Sequence, residues 1–105
     1  MPQEYRVEKW TGNSVPSVAE LKRTMEDEGF SVFQWSDPPG ASYLLHVHSD
    51  DQSHWIASGT LELEVTGHGT VRLEPGDRDF MPADTEHAAK VIGHEPVVYL
   101  IGSRR

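Results

Sequence analysis

The segment Gly40-Ala41-Ser42-Tyr43-Leu44-Leu45-His46-Val47-His48-Ser49-Asp50-Asp51-Gln52-Ser53-His54-Trp55-Ile56-Ala57-Ser58-Gly59 gathers neutral metal-binding side chains around one tight turn. Residues i and i+2 of a β-strand share a face, so His46 and His48 are expected to project together, roughly 7 Å apart at the backbone. Gln52 and His54 repeat that spacing on the expected return strand. Imidazole is a good ligand for zinc, copper, iron and nickel, and convergent rings on one strand face suit a single ion.

A second segment, Gly69-Thr70-Val71-Arg72-Leu73-Glu74-Pro75-Gly76-Asp77-Arg78-Asp79-Phe80-Met81-Pro82-Ala83-Asp84-Thr85-Glu86-His87, adds a further histidine behind a Pro-Gly turn. Together the two segments resemble the paired motifs of the cupin superfamily of small β-barrels. Gly40, His46, His48, position 52 and Gly59 match the first motif, with glutamine in place of its glutamate as the sole departure. Gly69, Pro75, Gly76, Asp77, Pro82 and His87 match the second. The resemblance implies an all-β double-stranded β-helix, or jelly-roll barrel, with one divalent transition metal ion per chain (Zn, Fe, Ni, Mn or Cu) held by His46, His48, Gln52 and His87. An amide oxygen at Gln52 brings no negative charge. The ion would therefore keep one more unit of positive charge than beside a glutamate, which favours anionic substrates and Lewis acidity and lowers metal affinity. His54, two residues beyond Gln52, is the alternative fourth ligand, or else it faces the substrate.

The remaining composition narrows the function classes. Nine Lys+Arg stand against 17 Asp+Glu, a formal charge of -8, so nucleic acid and anionic membranes should be repelled. Cysteine is absent, which removes thiolate nucleophiles, disulfides and Cys-type zinc sites. No apolar run reaches membrane-spanning length, and Met1 to Arg6 lack a signal-peptide core, so a cytoplasmic protein is expected. A chain of 105 residues has room for one core, and so small a domain gains from partner subunits. A homodimer is expected, as single-barrel members of the family commonly pair. The face Tyr43, Leu45 and Val47, opposite the histidines, is the candidate contact; the alternative is packing against the second sheet of the same subunit.

Along the chain, Ser17-Val18-Ala19-Glu20 has the form of a capping box; Val18, Leu21 and Met25 follow at helical spacing, and Gly29 is a stop. Residues 1–29 read as an N-terminal extension with one short helix, and 30–105 as the barrel. Short β-type stretches cover 30–35, 42–48, 54–57, 60–66, 70–73, 79–81, 88–92 and 97–101, between Pro and Gly punctuation. In Leu61-Glu62-Leu63-Glu64-Val65 the alternation assigns the leucines and valine to the core and the glutamates to water.

Candidate general acids or bases are Tyr43, Asp79 and Tyr99, with Asp37 and Glu86 as a further pair, while Asp77 belongs to a turn. Asp50 and Asp51 read as solvated loop carboxylates, His68 and His94 as exposed loop residues. Trp35 and Trp55 are candidates for a pocket wall or for the core. The leading functional expectation is a metal-dependent enzyme of isomerase, cyclase or lyase type that polarises a carbonyl or hydroxyl of a small oxygen-rich, anionic substrate. The alternatives are a three-His iron dioxygenase and a non-catalytic barrel that binds a metal or small molecule.

Overall fold

A computed structural model describes residues 4–105; Met1, Pro2 and Gln3, part of the stretch read above for a leader, lie outside the described residues. The elements run β1 Arg6–Glu8, α1 Val18–Asp27, β2 Ser31–Asp37, β3 Ser42–His46, β4 Asp51–Ser58, β5 Thr60–Val65, β6 Gly69–Leu73, β7 Arg78–Met81, β8 His87–Ile92 and β9 Val97–Arg104. They form two antiparallel sheets, ordered β1-β7-β4-β9-β2 and β3-β8-β5-β6. The fold is the expected jelly-roll barrel with one short helix.

Alternation builds the interior. Leu61, Leu63 and Val65 of β5 are buried, and they pack with Ile56, Leu73, Met81 and Val97 between the sheets. Removing each such side chain from water stabilises by roughly 1.5–3 kcal/mol. The helix starts where the capping box predicts: the Ser17 hydroxyl accepts from the Glu20 amide at 3.2 Å, while the Glu20 carboxylate accepts from the Ser17 amide at 3.4 Å. It ends ahead of Gly29, whose φ of 97° is left-handed. Its apolar stripe, Leu21 and Met25, packs with Phe30 and Leu100 on the outer face of the five-stranded sheet. The turn from β4 into β5 requires glycine, because Gly59 has φ 77° and a Cβ there would come within 2.3 Å of the Pro96 carbonyl. No helix among the described residues is long and apolar enough to cross a membrane.

Two elements depart from expectation. The strand expected over 42–48 ends at His46, because its register against β8 shifts between Tyr43 and His46. That irregularity breaks the simple alternation, so Tyr43 and His46 both reach the barrel interior. Leu44, Leu45 and Val47 are left outside, 88%, 59% and 53% exposed. The second departure is β1, for which the sequence carries no strand signal; it pairs with β7 through Arg6–Phe80, Val7–Asp79 and Glu8–Arg78.

Candidate metal centre

Three of the histidines converge. His46 and His87 are cross-strand partners between β3 and β8, with ring centroids 4.3 Å apart. His48, just past the end of β3, stands 4.8 Å from His46 and 5.2 Å from His87, centroid to centroid. One ring nitrogen from each of the three lies within 4.8 Å of the others. The outer nitrogens are engaged: His46 Nδ1 is 2.6 Å from the Leu44 carbonyl, and His87 Nδ1 is 2.9 Å from the Thr85 carbonyl. A carbonyl only accepts, so each Nδ1 carries the proton and each Nε2 is left with its lone pair. That is the arrangement a metal-ligating histidine needs.

The loops around the cluster are stitched together. The Asp84 amide donates to the His48 carbonyl at 2.8 Å, and the Ala83 amide donates to Asp51 Oδ1 at 2.9 Å. Asp84 takes a φ of 66°, the only left-handed non-glycine among the described residues. Asp51 is therefore a loop tie rather than a freely solvated carboxylate, and Asp50 accepts from the Ser103 hydroxyl at 3.3 Å. Burial holds His48 and His87 below the ordinary histidine range, with neighbouring histidines adding to the effect and the Thr85 carbonyl opposing it at His87. Both rings are therefore neutral, as ligation requires.

His54 is held differently. Its Nδ1 lies 2.9 Å from Asp79 Oδ1, the same oxygen accepts from the His54 amide at 2.9 Å, and Tyr5 donates to Asp79 Oδ2 at 3.0 Å. Burial works to lower the His54 pKa, but the Asp79 charge and hydrogen bond outweigh it and leave the ring above its usual value. Burial, followed by Asp79, also pushes the Tyr5 hydroxyl upward. Asp79 itself is fully buried and is not among the residues that line the cavity, so of the candidate general acids or bases Tyr43, Asp79 and Tyr99 only the two tyrosines reach it.

A cavity of about 310 Å³ runs from the histidines to the surface. His46, His48, Gln52, His54 and His87 form its inner end, and Leu61, Leu63, Ala89 and Ile101 form its walls. The exposed Phe33, Trp35 and Tyr43 lie at its mouth, and the buried Tyr99, its ring centroid 6.2 Å from that of His54, lines it beside them. There Asp37 accepts from Tyr43 at 2.7 Å, Trp35 Nε1 at 3.2 Å and Tyr99 at 3.3 Å. Burial and then Asp37 push both tyrosine hydroxyls upward, so both stay protonated.

The other candidates fall elsewhere. Glu86 is exposed and bonded to the Thr66 hydroxyl, so it does not pair with Asp37. Asp77 ties a turn, as expected, accepting from the amides of Trp10 and Glu74. His68 and His94 are exposed. Trp55 lies outside the cavity, stacked 4.2 Å from the Arg78 guanidinium and bonded to the Gly76 carbonyl. Phe33 and Tyr5 were not among the sequence candidates. Phe33 had a signal in its i, i+2 spacing from Trp35 and Asp37, whereas nothing near Tyr5 announces a partner 74 residues away.

Residues 33–102 match the family model described as a cupin domain. Over 53 residues the chain is 36% identical to the dimethylsulfoniopropionate lyase DddQ of Ruegeria pomeroyi, a stretch that is 50% of this chain and 26% of that protein. The crystal structure of that lyase superposes with a TM-score of 0.66 at 29% identity, covering 72% of this chain and 38% of the other. The chain thus spans well under half the length of this relative. A conserved protein of Klebsiella pneumoniae with a double-stranded β-helix domain gives 0.61 at 25% identity, covering 69% and 64%. The oxalate decarboxylase of Bacillus subtilis, a protein with Mn(II) centres, gives 0.63 at 25% identity, covering 70% and 21%.

Proposed function

The chain belongs to the cupin family, and on that premise we propose that it is a metal-dependent enzyme of lyase type acting on a small carboxylate-bearing molecule. The observation that carries this reading is the meeting of three histidine nitrogens within 4.8 Å in a cavity that opens to the surface. Relatives named for a propionate and for oxalate, both carboxylates, support the substrate class. The cluster and the Mn(II) centres of the decarboxylase together suggest a divalent ion.

His46, His48 and His87 would hold that ion through Nε2, and Gln52, half-buried on the cavity wall, would add a neutral amide oxygen. When bound, such an ion supplies a Lewis acid for a carboxylate or carbonyl oxygen. His54 has a different task. In its neutral form, with its Nδ1 proton donated to Asp79, His54 would take at Nε2 a proton from the substrate carbon beside the carboxylate, the C–H electron pair forming the new double bond as the neighbouring substituent leaves with its own pair. Leu61, Leu63, Ala89 and Ile101 keep water away from that transfer. We also propose that two copies pair through the exposed strip Leu44, Leu45 and Val47.

The test separates holding from proton transfer. Protein loaded with Zn²⁺ or Mn²⁺ and dialysed should retain about one ion per chain. His87→Ala should lose the ion, a chelator-sensitive rise in Tm and lyase activity together, whereas His54→Ala should keep the ion and lose only turnover of carboxylate substrates. Unchanged metal content and Tm in His46→Ala and His87→Ala would falsify the metal reading.

A further inference from the structure

Two rows of side chains lead away from the histidines along the cavity. On the five-stranded sheet His54, Ile101 and Phe33 are cross-strand partners in turn, and on the four-stranded sheet Leu63, Ala89 and Tyr43 are. Cross-strand partners share a face, and all six line the cavity. On β8, Ala89 follows His87 by two residues, so the aliphatic wall begins roughly 7 Å along the strand from the cluster. Ala89 and Ile101 also pack against the main core, which holds that wall in place.

The polar groups beyond the cluster are engaged within the protein. The hydroxyls of Tyr43 and Tyr99 and the Nε1 of Trp35 all donate to Asp37, at 2.7, 3.3 and 3.2 Å. Among the described residues that line the cavity, the other side-chain donors are Gln52 and the histidines, and none is a lysine or arginine. A substrate hydroxyl beyond the cluster would therefore exchange water for aliphatic carbon. A second carboxylate would do so with a full charge, and would approach Asp37, which has no ion-pair partner among the described residues. A cationic tail would likewise lose water against Ala89 and Ile101, while the Asp37 oxygens already hold three donors.

We propose that the substrate is a monocarboxylate with an uncharged, apolar body, its leaving substituent included, and that Ala89 and Ile101 are the residues that select it. The cavity of about 310 Å³ lies at the small end of ligand sites and equals roughly ten waters at about 30 Å³ each, which sets the body at about ten heavy atoms or fewer. The carboxylate end of this proposal rests on the metal-dependent reading; the apolar end rests on the wall alone.

Three acids of similar shape test the tail: 4,4-dimethylpentanoate; 3-(trimethylammonio)propanoate, in which N⁺ replaces the quaternary carbon; and succinate, in which a second carboxylate ends the chain. Calorimetry on zinc-loaded protein should give at least about tenfold tighter binding of dimethylpentanoate than of either other acid. Ala89→Leu, which fills the space, should abolish that preference and weaken dimethylpentanoate far more than acetate. Ile101→Thr, which sets a hydroxyl in the wall, should reduce the preference. His87→Ala should weaken all of these acids alike. Equal or tighter binding of the trimethylammonio acid or of succinate by the unsubstituted protein overturns the proposal. So does a preference unchanged in both Ala89→Leu and Ile101→Thr, or no detectable binding of dimethylpentanoate. A preference that persists while no acid depends on His87 supports the apolar wall and overturns the metal reading instead.

Discussion

At the scale of single residues, the decisive contrast is between histidines that look alike in the sequence. His46 and His87 spend Nδ1 on backbone carbonyls, and His54 spends it on a buried carboxylate. A carbonyl fixes a tautomer, whereas Asp79 also stabilises the protonated ring, which suits His54 to gaining and losing a proton. Tyr5→Phe removes one hydrogen bond to that carboxylate and should cost about 1–3 kcal/mol of stability, read as a lowered urea midpoint at unchanged slope. Asp79→Ala should be much worse, near the 3–5 kcal/mol expected when a buried polar partner is lost. A variant as stable as the parent would mean that the Tyr5–Asp79–His54 chain is not formed. His46, His48 and His87 were legible because their spacing is a local pattern. The partner of His54 was not, since Asp79 lies 25 residues away and only the β4–β7 register brings it close.

At the scale of elements, the helix is fastened at both ends. Ser17→Ala removes the N-cap acceptor and should cost about 1 kcal/mol. At the other end Arg78, buried and stacked 4.2 Å from the rings of both Trp55 and Phe80, reaches Glu28 with two hydrogen bonds of 2.9 and 3.1 Å. Glu28→Ala leaves that guanidinium without its acid and should lower the Tm more than Ser17→Ala does; equal Tm values would mean the clip is idle. The helix could be read from its capping box and periodicity, since both are contained in a dozen residues. The early stop of β3 could not, because a register shift depends on the neighbouring strand and leaves no mark in a run such as Tyr43-Leu44-Leu45-His46.

At the scale of the whole molecule, the N-terminal segment is tied to the barrel by Asp77, which accepts from Lys9 at 2.7 Å and from the Trp10 amide at 2.7 Å. Burial would raise its carboxyl, but Lys9 and the Trp10 and Glu74 amides prevail and hold it below the ordinary carboxylate range. A folded value below the unfolded one means the tie is complete above about pH 4 and lost as the pH falls through the folded value. Asp77→Asn should therefore be less stable than the parent at neutral pH, with the gap closing on acidification; a gap that is constant with pH would exclude a role for this charge. The proposed pairing makes its own prediction. Sedimentation should give twice the 11.8 kDa chain mass, reduced to one chain by Leu44→Asp, and a monomeric parent would end the idea.

The bond between Tyr5 and Asp79 also governs when the site can come into being. The two residues are 74 apart, so during synthesis the donor must wait for all of that intervening chain before its acceptor exists. A fragment cut to residues 33–102 keeps every position that marks the family and every histidine of the cluster, yet it releases Asp79 from its outer clasp. The three-histidine cup could assemble in such a piece, while the Asp79–His54 pair behind it would stay loose until Tyr5 came back to close it.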